Sequence, residues 1–171
     1  MPARVRGLRS CNMTDFRVGH GYDAHRFTNE RRLILGGVSI PESPGLDGHS
    51  DADVAVHAVM DAMLGAAGMG DVGHHFPDTD EAYKGISSLL LLERTASFLR
   101  EAGWSVSNID VTIVAQVPRL APHITAMRTA IATAVGVKAE RVNVKATTEE
   151  GMGFTGAREG IAAHSVCLII K

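Results

Sequence analysis

Two short runs of the chain can bring two imidazoles and a carboxylate onto one ion. In His20-Gly21-Tyr22-Asp23-Ala24-His25, residues two apart in an extended chain point to the same side, so Asp23 and His25 can converge. His57 lies in a stretch, opened by His49-Ser-Asp-Ala-Asp53, that reads as a helix. Two histidines and one aspartate leave a fourth coordination position open, which is the pattern of catalytic rather than structural zinc. Mn²⁺, Co²⁺ or Fe²⁺ suit the same donors. The plainer alternative is a chance Asp-x-His beside a hydrogen-bonded core histidine. Asp53 and Asp61 stand four residues either side of His57, and one of them could hold its free ring N–H.

A second group of residues suits phosphate. His49 and Ser50 come just before the helix, whose unpaired N–H groups and positive end favour an anion; Ser50 could equally be only a cap. The run from Lys145 to Gly156 leaves a strand and enters a Gly-rich loop. Thr147 and Thr148 can donate hydroxyl hydrogen bonds to phosphate oxygens there. Glu149 or Glu150 could hold a Mg²⁺ that bridges phosphates, and a solvated turn is the alternative. Asp71-Val-Gly73 and Phe76-Pro-Asp-Thr-Asp80 are loop chemistry with no purpose set by spacing. His74, His75, His123 and His164 read as surface or core residues. Taken together, these residues point to a metal-dependent enzyme acting on a phosphorylated small molecule.

The elements that must carry these residues alternate between strand and helix. Phe16–Gly19 reads as a short strand, Arg32–Ile40 as an extended or hairpin segment around Gly36-Gly37, and Pro41–Gly48 as a loop. Ser50 or Asp51 can cap a helix from Asp53 to Ala67 that Gly68 ends. Gly70–Gly85 reads as a long polar loop, and Ser87–Ala102 as a helix. Ile109, Val111, Ile113 and Ala115 alternate with polar residues as a half-buried strand does. Pro122 and Gly136 bracket a third helix. Val142–Ala146 and Ile161–Ile170 are strands, the last apolar on both faces and so either central or at a subunit interface. The expected class is α/β (α+β), with a single domain over residues 16–171. Residues 1–15, which carry Arg4, Arg6 and Arg9, read as a disordered extension.

Composition narrows the function further. The 171 residues are 45% hydrophobic and 21% charged with a net charge of −2, which gives no footprint for nucleic acid or an anionic membrane. No apolar run approaches the roughly 20 residues of a membrane span. Cys11 and Cys167 sit at opposite ends in unlike contexts, so a reducing cytoplasm fits better than a disulfide framework.

Five segments, in order, resemble the 2-C-methyl-D-erythritol 2,4-cyclodiphosphate synthase family. They are Gly19–His25, Gly48–Val54, Phe76–Asp80, Ala115–Pro118 and Lys145–Gly160. The resemblance implies a homotrimer with active sites between subunits, each subunit a mixed four-stranded sheet with helices on one face. It implies a phosphorus–oxygen lyase that cyclises 4-diphosphocytidyl-2-C-methyl-D-erythritol 2-phosphate and releases CMP. Asp23, His25 and His57 would hold Zn²⁺, one per subunit, and Glu150 would hold Mg²⁺ or Mn²⁺ on the substrate diphosphate. His49 and Ser50 would meet the erythritol-side phosphate, and Asp71 and Gly73 the methylerythritol. Phe76, Asp78 and Asp80 would belong to a mobile substrate loop. Ala115, Pro118 and Ala121 would surround the cytosine of a neighbouring subunit's substrate, and Thr147 and Thr148 would contact the diphosphate. His49 and Thr148 would stabilise developing charge. The rival readings are a metal-dependent phosphohydrolase and a non-enzymatic trimer that binds isoprenoid diphosphates.

The chain departs from that family at one point. Many members read Phe-Thr-Gly-Arg-Gly-Glu-Gly where this one reads Phe154-Thr-Gly-Ala157-Arg158-Glu-Gly160. In an extended segment the displaced arginine would face the other way. An axial cavity would then be lined by Phe154 and apolar side chains, without a guanidinium.

Overall fold

The computed structural model describes residues 15–171, the side chain of Glu42 excepted. Residues 1–14 of the expected extension, Cys11 among them, lie outside the described residues. One sheet organises the rest, with strand order β2-β1-β5-β3-β4. Its strands are β1 (Phe16–Leu35), β2 (Val38–Leu46), β3 (Ser105–Val114), β4 (Val142–Thr147) and β5 (Gly160–Ile170). Only β3 and β4 run parallel, so the sheet is mixed as expected. It has five strands rather than four. The additional one is β2, whose Pro41 and Pro44 read as loop signals in the sequence. Proline removes a ladder donor, but β2 is an edge strand and tolerates the loss.

The first strand also differs from its expected extent. Gly19 and Gly21 read as the end of a short strand, yet β1 continues through them for 20 residues. Both glycines face helix α1 (Val54–Ala67), which lies directly on the strand. A Cβ at Gly19 would stand 2.0 Å from the Ala62 carbonyl oxygen, and one at Gly21 would stand 2.0 Å from that of Ala58. The helix answers with alanine at 58, 62 and 66, so backbone meets backbone. Asp23 and His25 share this face of β1, two and four residues beyond Gly21.

The cap of α1 is Asp53, not Ser50 or Asp51. Its carboxylate accepts from the N–H groups of Ala55 and Val56 at 3.1 Å each, satisfying the first turn. It also accepts from Gly36 and Gly37 at 2.9 and 2.6 Å. One buried side chain thus ties the β1–β2 hairpin to the start of the helix. Gly68 closes α1 in the left-handed conformation, as expected.

Helix α2 (Val72–His75) is a single turn inside the expected polar loop, and a 3₁₀ turn follows at Glu81–Tyr83. Helices α3 (Ser88–Glu101) and α4 (Ile124–Val135) match their expected positions. They pack with α1 on one side of the sheet. On that side Ile109, Val111, Ile113, Ile161, Ala163, Cys167 and Ile169 are buried. The other side is open, with Phe16, Val18, Tyr22, Val166 and Ile170 all exposed. β5, apolar on both faces, is the central strand.

The run after β4 is not extended. Gly153–Gly156 forms a helical turn, α5, and Arg158 follows with φ of 61°. The alternating-face argument therefore does not apply to Arg158. The arginine occupies the left-handed position of a turn, where the family's run has glycine.

Candidate active site

The strand and the helix deliver the expected triad. Asp23 Oδ2 lies 3.1 Å from His25 Nε2 and 2.9 Å from His57 Nδ1. One donor atom from each residue lies within 4.8 Å of the others, the convergence a metal ion requires. All three side chains are partly buried. Burial pushes the Asp23 carboxyl upward, but hydrogen bonds from His25 and His57 outweigh it and hold the group well below the usual carboxylate range. Burial acts to lower the pKa of His25, yet Asp23 and the Asp47 carbonyl raise it above its ordinary value. This donor set fits a divalent transition ion.

Neither Asp53 nor Asp61 holds the free ring nitrogen of His57. Asp53 is occupied at the helix cap. Asp61 accepts from Val72 N–H at 2.8 Å and so anchors the Asp71–Gly73 segment beside the triad. Burial, with the charges of Asp71 and Asp23, raises the Asp61 carboxyl despite that bond. The ring nitrogen instead meets Ser88 Oγ at 2.9 Å and Ser50 Oγ at 3.1 Å. No feature of the sequence pointed to Ser88, a serine in the first turn of a helix.

The triad opens into a cavity of about 260 Å³. His49, Ser50, Gly73, Phe76 and Asp78 line it, so segments far apart in sequence reach one pocket. His49 Nε2 lies 3.3 Å from the Asp80 carbonyl. Ser50 is nearly buried, with its hydroxyl turned to His57 rather than to the cavity mouth. Asp71 is committed to capping α2 through His74 N–H. Phe76 is buried against Tyr83 and Phe98. His75 Nε2 lies 2.8 Å from the Met69 carbonyl.

The threonine loop forms a separate place. Ala115, Pro118, Ala121, Thr147 and Thr148 line a second cavity of about 460 Å³, which shares no residue with the first. Thr148 Oγ1 donates to Glu150 Oε1 at 2.7 Å, and Glu150 has a left-handed backbone, φ 53°. A non-glycine residue held there carries strain of the kind that gathers at functional sites. Glu149 instead accepts a short hydrogen bond from the buried Thr155 hydroxyl, so it braces the turn. Gln116, which borders the second cavity, accepts from Gly151 N–H at 3.2 Å and joins the two loops. Phe154 lies outside both cavities and is partly exposed, near Arg26 and Glu159.

Comparison with known proteins gives these residues a context. The YgbB family model matches residues 16–170. The chain belongs to the YgbB family. Among the family's curated members, 2-C-methyl-D-erythritol 2,4-cyclodiphosphate synthase of Trichlorobacter lovleyi is 60% identical over 154 residues, covering 90% of this chain and 98% of its own. The synthase of the same name from Thiobacillus denitrificans is 59% identical over 157 residues, covering 92% and 98%. A solved structure of bifunctional IspDF from Campylobacter jejuni superposes with a TM-score of 0.89 at 42% identity; the match covers 92% of this chain and 43% of that one. The CDP complex of IspF from Plasmodium falciparum superposes with a TM-score of 0.80 at 29% identity, covering 91% and 96%. Among the described residues no helix is long and apolar enough to cross a membrane.

Proposed function

We propose that the protein cyclises 4-diphosphocytidyl-2-C-methyl-D-erythritol 2-phosphate to 2-C-methyl-D-erythritol 2,4-cyclodiphosphate and releases CMP, in the non-mevalonate route to isoprenoid precursors. The observation that carries this reading is the near-full-length identity of about 60% to synthases of that name. The converging triad supports it.

A 2-phosphate oxygen attacks the β-phosphorus, the bond from that phosphorus to the bridging oxygen breaks, and CMP leaves with the electron pair. The nucleophile is already ionised near neutral pH, so no general base is needed. The difficulty is bringing one anion onto another. A Zn²⁺ on Asp23, His25 and His57 (Mn²⁺ or Co²⁺ fit the same donors) and a Mg²⁺ or Mn²⁺ on Glu150 supply the neutralising charge. His49, released from the Asp80 carbonyl, donates to the attacking phosphate. Thr148 turns its hydroxyl from Glu150 to the diphosphate, and Thr147 donates beside it, a preorganised electrostatic contribution. Gly73 and the Asp71 segment seat the methylerythritol, and the Phe76–Asp80 segment closes over it. Ala115, Pro118 and Ala121 surround the cytosine.

The metal cavity and the cytosine cavity share no residue within one chain, which favours a site completed by a neighbouring subunit. The open sheet face, where Phe16, Val18, Val166 and Ile170 lie exposed, is the surface such an assembly would cover. A homotrimer in the cytoplasm is part of this reading.

Phosphorus NMR of the purified protein with the cytidyl substrate, with and without Mg²⁺, tests it. A cyclic diphosphate and free CMP are expected only with the metal. Inorganic phosphate or a linear diphosphate would make the protein a phosphohydrolase. Absence of CMP under all conditions would leave a binding protein.

A further inference from the structure

His25 and His57 approach Asp23 through opposite ring nitrogens. His25 presents Nε2, 3.1 Å from the Asp23 carboxylate. His57 presents Nδ1. A neutral imidazole has one bare nitrogen, and the partner of the other nitrogen decides which one it is. For His57 that partner is a serine hydroxyl, which can donate or accept. The two choices select opposite tautomers, and only one of them makes Nδ1 the nitrogen that an ion can take.

Asp51 makes the choice. Its Oδ1 accepts the Ser88 hydroxyl proton in a short hydrogen bond, and its Oδ2 accepts Ser88 N–H at 3.0 Å. With that proton committed, Ser88 Oγ offers His57 only lone pairs, so Nε2 must carry the hydrogen. Ser50 Oγ, 3.1 Å from the same nitrogen, accepts from Ala52 N–H at 3.2 Å and has Ser88 Oγ at 3.4 Å to take its own proton. Ser88 is fully buried, so water does not compete for its hydroxyl.

We infer that Asp51 and Ser88 are positioning residues for the metal: the chain from Asp51 through Ser88 keeps a hydrogen on His57 Nε2, so Nδ1, which donates to Asp23 while no ion is bound, is the nitrogen that gives up its proton to the metal. The inference rests on the metal-site reading of the triad. It also gives the first residue of α3 a role in ion binding. In Asp51→Asn the side-chain amide can donate to Ser88 Oγ. That frees the hydroxyl proton to point at Nε2, which favours the wrong tautomer.

The test is zinc affinity at pH 8 from competition with a chromogenic chelator, joined to long-range ¹H–¹⁵N NMR of the imidazoles in the zinc-loaded protein. The parent protein is expected to carry hydrogen on His57 Nε2, with Nδ1 given to the metal. Ser88→Ala and Asp51→Asn should bind zinc about 10- to 100-fold more weakly. Ser88→Thr, which keeps the hydroxyl, should stay within about threefold of the parent by the same reasoning. If the zinc-loaded parent carries Nδ1–H, or if both variants keep parental affinity, the inference is overturned. A parent that binds no zinc at all would overturn the reading of the triad itself. If Ser88→Ala fails to fold, the parent's His57 signature and Asp51→Asn still decide.

Discussion

Asp23 and His25 stabilise each other only while one is ionised and the other protonated. The raised pKa of His25 contributes stability below its ordinary 6.5 and loses it as pH rises through the folded value. The lowered pKa of Asp23 contributes above its ordinary 3.8 and loses it only in strong acid. The metal-free protein therefore gains most from the pair between those two values. Zinc binding must displace the His25 proton, so its apparent affinity should fall as pH drops from 8 to 6. Chelator competition at several pH values measures this, and a flat profile would exclude proton displacement. At the second site, Glu150→Gln should lower turnover by on the order of a hundredfold, a loss of a few kcal/mol of charge stabilisation. Zinc content should not change. Glu149→Gln keeps an acceptor for Thr155 and should cost far less; if it proves the damaging change, the Mg²⁺ ligand is the wrong glutamate. The triad was legible because Asp-x-His has the period of a strand. Ser88 and Asp51 were not, because their role depends on a contact across 37 residues.

Glycine and proline misled the reading of elements, for opposite reasons. Gly19 and Gly21 suggested that a strand ends, but the lack of a side chain is what lets α1 settle on β1. Gly21→Ala forces a methyl into the Ala58 carbonyl, which belongs to backbone and cannot step aside. It should cost about 3 kcal/mol, the upper range for overpacking. Because His57 rides on the same helix, zinc affinity should fall as well. Thermal unfolding and chelator competition on one preparation would show both, and unchanged values would mean that the helix shifts freely. Pro41 and Pro44 suggested a loop, but an edge strand has no neighbour to miss their hydrogen bonds. The N-cap went to Asp53 because Asp51 and Ser50 are engaged by Ser88 and His57. In the turn after α5, Arg158→Gly relieves a left-handed arginine. It should stabilise by roughly 0.5–1 kcal/mol once the greater freedom of the unfolded chain is set against the gain. Destabilisation on denaturant unfolding would show that the arginine makes a compensating contact.

For the whole molecule the open sheet face is the feature without a partner in one chain. Val18→Asp places a charge in the middle of it, beside Val166 and Phe16. The proposed trimer should dissociate on light scattering and lose turnover, because the two cavities would no longer meet, while each chain keeps its zinc. A monomer with full turnover would sink the shared-site reading. β1 carries a consequence that concerns lineage rather than chemistry. Its first half pairs with β5 and its second half with β2, and the alternation of its side chains sorts Asp23 and His25 to the helix side and His20 and Tyr22 to the open side. Substitutions can accumulate along such a strand, but a single-codon insertion or deletion near its start would exchange the two sets at once. Length variation among descendants of this gene should therefore be confined to the turns and loops, with the span from Phe16 to His25 invariant in length.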